Sequence, residues 1–164
     1  MRTTLTKRQR HYADIAARHT PAGIKVVFLD DGARASEGKA YGLAHRFPEN
    51  EDEEENFVPW IEVPRPKTLR RLWSYLHEAA HIVSSIPSLY EGNNYSSSEA
   101  EAELGALRAL ESEGLFLSLR ALRATRRRIE YEARKDRKEF GAEYSPLVLE
   151  CLAEFDRRIA ALER

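Results

Sequence analysis

The sequence predicts an α+β fold in which several helices surround a small sheet of about three strands. Three observations lead there. At 164 residues the chain has the length of a single hydrophobic core, which typically grows to roughly 100–200 residues before splitting. Its composition, 42% hydrophobic and 32% charged, supplies a core and an ionic surface. Strand-type patterning is confined to one stretch, with one helical segment before it and four after it. The resulting order, α-β-β-β-α-α-α-α, is that of a helix-rich α+β domain. We read residues 1–164 as one domain, with an N-terminal helix (1–20), a core (21–113) and a helical C-terminal extension (114–164).

Residues 4–19 place Leu5, Tyr12, Ile15, Ala16 and His19 at helical spacing, and Thr20-Pro21-Ala22-Gly23 supplies a stop. Ile24 to Leu29 is rich in β-branched residues and ends at the turn signal Asp30-Asp31-Gly32, which predicts a strand. Lys39 to Phe47 alternates, with Tyr41, Leu43, His45 and Phe47 on one face, and predicts a second. A third runs from Phe57 to Val63, with Phe57, Pro59, Ile61 and Val63 on one face. Pro59 makes this strand an edge strand or irregular where it starts.

After Pro64 and Pro66, Thr68 can cap a helix that runs to about Ser84. Leu69, Leu72, Trp73, Leu76, Ala80 and Val83 form its apolar stripe. Pro87 to Ser98 reads as a loop, and Ser96 with Glu99 has the spacing of a capping box, so the next helix should start near Ser97. It carries Ala100, Leu104, Leu107 and Leu110 towards Gly114, before a basic helical stretch. A last helix, 146–163, opens at Ser145-Pro146 with Leu149, Leu152, Phe155, Ile159 and Leu162 on one side.

Charge and cysteine usage narrow the function classes. Net charge is −1, but residues 49–55 hold six acidic side chains and residues 120–138 hold nine basic against three acidic ones. The basic segment is either a solvated helix or a surface for nucleic acid or an acidic partner. The single cysteine, Cys151, lies in an apolar-periodic segment and reads as a buried structural thiol. No run approaches the roughly 18 apolar residues of a membrane helix, and MRTTLTKRQR lacks the apolar segment of a secretory signal. A cytoplasmic protein without a membrane partner is expected.

The chemistry concentrates in Leu76-His77-Glu78-Ala79-Ala80-His81, an H-E-x-x-H motif inside a helix. Histidines four residues apart lie one turn apart on the same face, so both imidazoles can reach one ion. With Leu69 at zero, His77 and His81 fall at about 80° and 120°, on the flank of the apolar stripe, and Glu78 at about 180°, away from the packed side. Zinc needs neutral nitrogen donors and an open position for water, and a neighbouring carboxylate can take the proton of that water. Catalytic sites usually supply three protein ligands. On the next helix Glu103 falls inside the apolar stripe, where a buried charge needs a partner such as a metal ion. Glu111 is the second choice, Glu99 is explained as a cap, Glu101 points to solvent, and a salt bridge to Arg108 or Arg71 is the bland alternative for Glu103. His45, Tyr75 and Tyr95 are candidates for an oxyanion donor. His11 and His19 read as surface or packing residues, and Trp60 and Trp73 as core or rim aromatics.

The stretch IEVPRPKTLRRLWSYLHEAAHIV followed by SSSEAEAELGALRAL resembles the glutamate-ligand zincins, especially the small ImmA/IrrE-type metallopeptidases and the zincin domain of ArdC-type anti-restriction proteins. The resemblance covers about residues 39–113. It implies a sheet packed on the H-E-x-x-H helix and a following ligand helix, with Zn²⁺ bound by His77, His81 and Glu103 and with Glu78 as catalytic base. It further implies hydrolysis of a peptide bond in a protein substrate, in the manner of a regulatory protease cutting a repressor-like partner. The sequence departs from the family at Ala79-Ala80, where a larger apolar residue is usual, and in lacking an aromatic after Glu103. The chain from about Leu115 matches no part of the pattern. A zinc-stabilised binding module that uses the 120–138 segment without proteolysis is the other reading.

Overall fold

The computed structural model describes residues 5–30, 42–46, 57–84, 95–141 and 143–164. The chain divides into two compact units, Met1–Val83 and Ser84–Arg164. The fold class is α+β, with the expected order of elements and a three-stranded mixed sheet among the described residues.

In the first unit, helix α1 (Lys7–Arg18) starts at a capping box in which the Thr6 hydroxyl accepts from the Gln9 N–H and the Gln9 side chain accepts from the Thr6 N–H. It buries Tyr12, Ile15 and Ala16. Strands β1 (Lys25–Leu29), β2 (Leu43–His45) and β3 (Trp60–Pro64) lie in the order β1-β3-β2. β1 pairs parallel with β3 from Lys25↔Trp60 to Leu29↔Pro64, and β2 pairs antiparallel with it from Leu43↔Glu62 to His45↔Trp60. The last strand in sequence is therefore the central one. Pro59 makes it irregular where it starts rather than placing it at an edge. Lacking an N–H, Pro59 stays outside the strand, and its carbonyl accepts from the Lys25 N–H at 2.9 Å. Ile61, Glu62 and Val63 are consecutively buried, unlike the one-faced pattern read from sequence. The second strand is described only at Leu43–His45; Tyr41 and Phe47 fall outside the described residues, as do the acidic stretch 49–55 and the loop residues 85–94.

Helix α2 (Leu69–Val83) opens at Thr68, whose hydroxyl accepts from the Arg71 N–H at 3.3 Å. Leu72, Trp73 and Leu76 are buried as the stripe predicts. Its far end is not: Val83 is 68% exposed, while Tyr75 and Ala79 are buried instead. The packed face is turned towards Tyr75, whose ring stacks with Phe28 of β1 and whose hydroxyl shares a hydrogen bond with Thr20.

The second unit is three helices in mutual contact, α3 (Tyr95–Ser112), α4 (Leu119–Phe140) and α5 (Pro146–Leu162). Leu104, Leu107, Leu110, Leu122, Ile129, Val148, Cys151 and Phe155 form its core. Gly114 at φ +67° reverses the chain after α3, and Ser118 and Ser145 cap α4 and α5 with Pro146 in the first turn. Two expectations need correction here. α3 begins at Tyr95, so Ser96 lies inside the helix rather than at its cap, and the Ser96 N–H donates to Asp136 Oδ2 of α4 at 2.8 Å. On α5 the buried residues are Val148, Cys151 and Phe155, whereas Leu149 and Leu162 are more than half exposed.

Candidate metal centre

The two histidines of the motif meet. One helical turn apart on α2, His77 and His81 point their Nε2 atoms at each other at 3.1 Å, with ring planes at 87°. Both are buried, at 8% and 7% exposure. With Zn–N bonds of about 2.0–2.1 Å and tetrahedral angles, two nitrogens on one zinc stand about 3.3–3.4 Å apart. The observed spacing is within a few tenths of an ångström of that value. It also suits a single N–H···N hydrogen bond between the two rings.

Glu78 follows His77 directly and is half-buried. Its side chain lies against the backbone of Gly42 at the start of β2, so the carboxylate of the motif faces the edge strand of the described sheet. Sequence reading placed Glu78 away from the packed side but gave no sign of what it would face.

In the second unit, Glu99 and Glu103 stand one turn apart on α3, at 7% and 2% exposure. Both accept hydrogen bonds from Arg128 of α4, which gives one arm of its guanidinium to each. Burial works against the charge on Arg128, but the charges and hydrogen bonds of Glu103 and Glu99 outweigh that and hold its pKa above the ordinary value. Glu103 is buried in the stripe as expected; its ion-pair partner is Arg128 rather than Arg108, which pairs with Glu150. Glu99 is not a helix cap but the second carboxylate of this trio. The start of α3 is fixed from two sides, by Asp136 on the Ser96 N–H and by a 2.7 Å hydroxyl pair between Ser97 and Ser145.

Glu101 is half-buried and accepts from the Ser84 hydroxyl, not turned to solvent. Glu111 is exposed and paired with Arg158. Tyr75 is a core residue, its pKa raised by burial against the opposing hydrogen bond from Thr20. At 100° per residue it falls about 200° and 240° round α2 from His77 and His81, so it belongs to a different side of the helix. Tyr95 opens α3 and is exposed. His45 stacks on Trp60 with ring centroids 3.6 Å apart and planes 5° from parallel, a cross-strand pair between β2 and β3. Trp73 is in the core, as expected. His11 is exposed, and His19 forms the C-cap position of α1. Cys151 is fully buried, and its thiol is pushed up to about 12, first by burial and then by the nearby charge of Glu103. Arg128 and Asp136 were invisible as site residues in the sequence, because each sits in a run of like or mixed charges with nothing to single it out.

Much of the basic helix is neutralised. Arg126 pairs with Asp156 and Glu130, Arg123 with Glu163, and Arg134 with Glu130. Among the described residues no helix is long and apolar enough to cross a membrane.

His77 and His81 of the first unit and Glu99 of the second are each buried and each of a donor type that binds metal ions. No family model matches the chain, and no curated protein or solved structure shows significant similarity to it.

Proposed function

We propose that this protein is a zinc-dependent peptidase in which His77, His81 and a buried glutamate of α3 hold the metal and Glu78 is the general base. The observation that carries the reading is the His77–His81 pair, whose Nε2 atoms lie 3.1 Å apart in a buried position with a half-buried carboxylate next in sequence. A zinc ion bound there would supply a Lewis acid that polarises a substrate carbonyl and lowers the pKa of a water. The remaining work falls to the chain. His77 and His81 present their two Nε2 atoms at one place on α2. Glu78 accepts a proton from the attacking water and returns it to the leaving amine. The backbone of β2, at the edge of the described sheet, offers main-chain groups to an extended peptide. The resemblance to ImmA/IrrE-type and ArdC-type zincins supports the same reading and adds a repressor-like protein as the substrate.

The third donor is a choice between Glu99 and Glu103. The sequence pattern favours Glu103. In the structure both carboxylates are buried and both are held by Arg128.

The test is a library of quenched fluorescent peptides offered to zinc-loaded wild type and to Glu78→Gln. Cleavage by the wild type that falls by about 10²-fold or more in Glu78→Gln, with zinc content unchanged, supports the reading. Equal cleavage by both proteins contradicts it.

One observation favours a second reading. Arg120, Arg127, Lys135 and Lys138 are exposed on α4 near Tyr131, which is 65% exposed, and among the described residues these four side chains make no ion pair. A basic face with an exposed aromatic suits a phosphate backbone, and binding that weakens steeply with salt would mark it.

A further inference from the structure

Gly42 precedes β2 and is buried, yet its conformation does not require glycine: among the described residues the glycines with positive φ are Gly23, Gly114 and Gly141. What it provides is room. A Cβ built on Gly42 would stand 2.7 Å from Glu78 Oε1, 2.8 Å from Glu78 Cγ and 3.1 Å from Glu78 Cδ. Real Cβ atoms essentially never come within 3.0 Å of another heavy atom. The oxygen alone could swing away by rotating the carboxylate, but Cγ is set by the first side-chain torsion. On a helix that torsion has few alternatives, because the +60° rotamer runs into the preceding turn. β2 cannot easily retreat either. It is pinned to β3 by the Leu43↔Glu62, Ala44↔Ile61 and His45↔Trp60 pairs and by the stacked rings of His45 and Trp60.

We propose that Gly42 is a positioning residue for Glu78: the missing side chain at the start of the edge strand is the seat in which the base of the peptidase site is held. The proposal rests on the peptidase reading for its catalytic consequence, but the seat itself does not depend on a metal. Any side chain at position 42 forces Glu78 into another rotamer while leaving both histidines in place. The base is thereby tied to the strand along which a peptide substrate would lie, so that recognition and proton transfer share one contact.

The experiment is a double-mutant cycle on thermal unfolding of the full chain with Gly42→Ala, Glu78→Ala and the pair, joined to a spectroscopic readout. Gly42→Ala should lower Tm by about 3–10 °C when Glu78 is present. In the Glu78→Ala background it should have little effect or raise Tm slightly, because alanine restricts the unfolded chain more than glycine. Equal shifts in both backgrounds overturn the proposal. If Gly42→Ala alone fails to fold, recovery of folding by adding Glu78→Ala carries the same conclusion, and failure to recover overturns it. Co²⁺-loaded wild type, Gly42→Ala and Glu78→Gln are then compared by visible absorption across pH. Gly42→Ala should keep the cobalt band and move its pH profile towards that of Glu78→Gln; an unmoved profile overturns the positioning role. A wild type that takes up no cobalt while the thermal cycle still shows coupling sinks the peptidase reading and leaves the seat of Glu78 supported.

Discussion

The Nε2 atoms of His77 and His81 face each other across 3.1 Å in a buried position on α2. Two buried ring nitrogens brought to one point suit a shared metal ion as well as a hydrogen bond between the rings, and metal addition separates the two. Replacing His77 by Ala removes one donor and leaves His81 without its neighbour. We expect His77→Ala to remove the stabilisation that zinc confers on the wild type, a rise of several degrees in Tm at saturating metal, while changing the Tm of the metal-free protein by less. Thermal scans with Zn²⁺ and with a chelator check this.

Arg128 holds two buried carboxylates with one guanidinium, so its loss leaves both without that partner. Arg128→Met should cost about 3 kcal/mol, below the top of the range for broken buried pairs because the arginine side chain is 41% exposed. Arg128→Lys should recover only part of this, since an ammonium cannot reproduce the two-armed fork. Urea unfolding of the three proteins measures both differences. A loss below about 0.5 kcal/mol in Arg128→Met would mean that the trio behaves as a surface pair.

Asp136 reaches from α4 to cap the start of α3, and the residue it holds lies three positions before Glu99. Asp136→Ala should cost about 1–2 kcal/mol, the scale of a lost helix cap, and should weaken zinc retention more than an equally destabilising change elsewhere in the second unit. Equilibrium unfolding and competition against a chromophoric zinc chelator give the two numbers.

The pair Glu154 and Arg157–Arg158 on α5 sets an acid limb of stability. The hydrogen bonds of Arg157, and then those and the charges of both arginines, bring the Glu154 carboxyl down to about 2 from its ordinary 4.5. A depressed pKa contributes stability above the unfolded value and loses it as the group protonates, so this contribution is complete above about pH 4.5 and fades towards pH 2. Glu154→Gln should therefore lower stability at pH 7 by about 0.5–1 kcal/mol and by less near pH 2. Unfolding measured from pH 2 to 7 checks the slope.

The order of elements was legible because each carries a local signal: a Thr6 or Thr68 cap, the β-branched run IKVVFL, the Ser145-Pro146 start of α5. The histidine pair was legible for the same reason, since i and i+4 on one helix fix their relation without tertiary information. What was not legible depends on distant partners. The start of α3 is set by Asp136, forty residues on, which overrides the local Ser96–Glu99 capping pattern. The packed face of α5 holds Val148, Cys151 and Phe155 rather than Leu149 and Leu162, a choice among apolar residues that spacing within the helix leaves open until its neighbours are in place. The role of Glu99 depends on Arg128, one arginine in a run of three. Gly42 had no signal at all, since the space it provides is defined by a side chain thirty-six positions later.

The most direct measurement of the central claim is zinc per chain, by elemental analysis of protein purified without added metal, for wild type, His81→Ala, Glu99→Gln and Glu103→Gln. The account predicts about one zinc in the wild type, none in His81→Ala, and clear loss in whichever glutamate variant removes the third donor. No zinc in the wild type, together with no rise in Tm when Zn²⁺ is added, would contradict it.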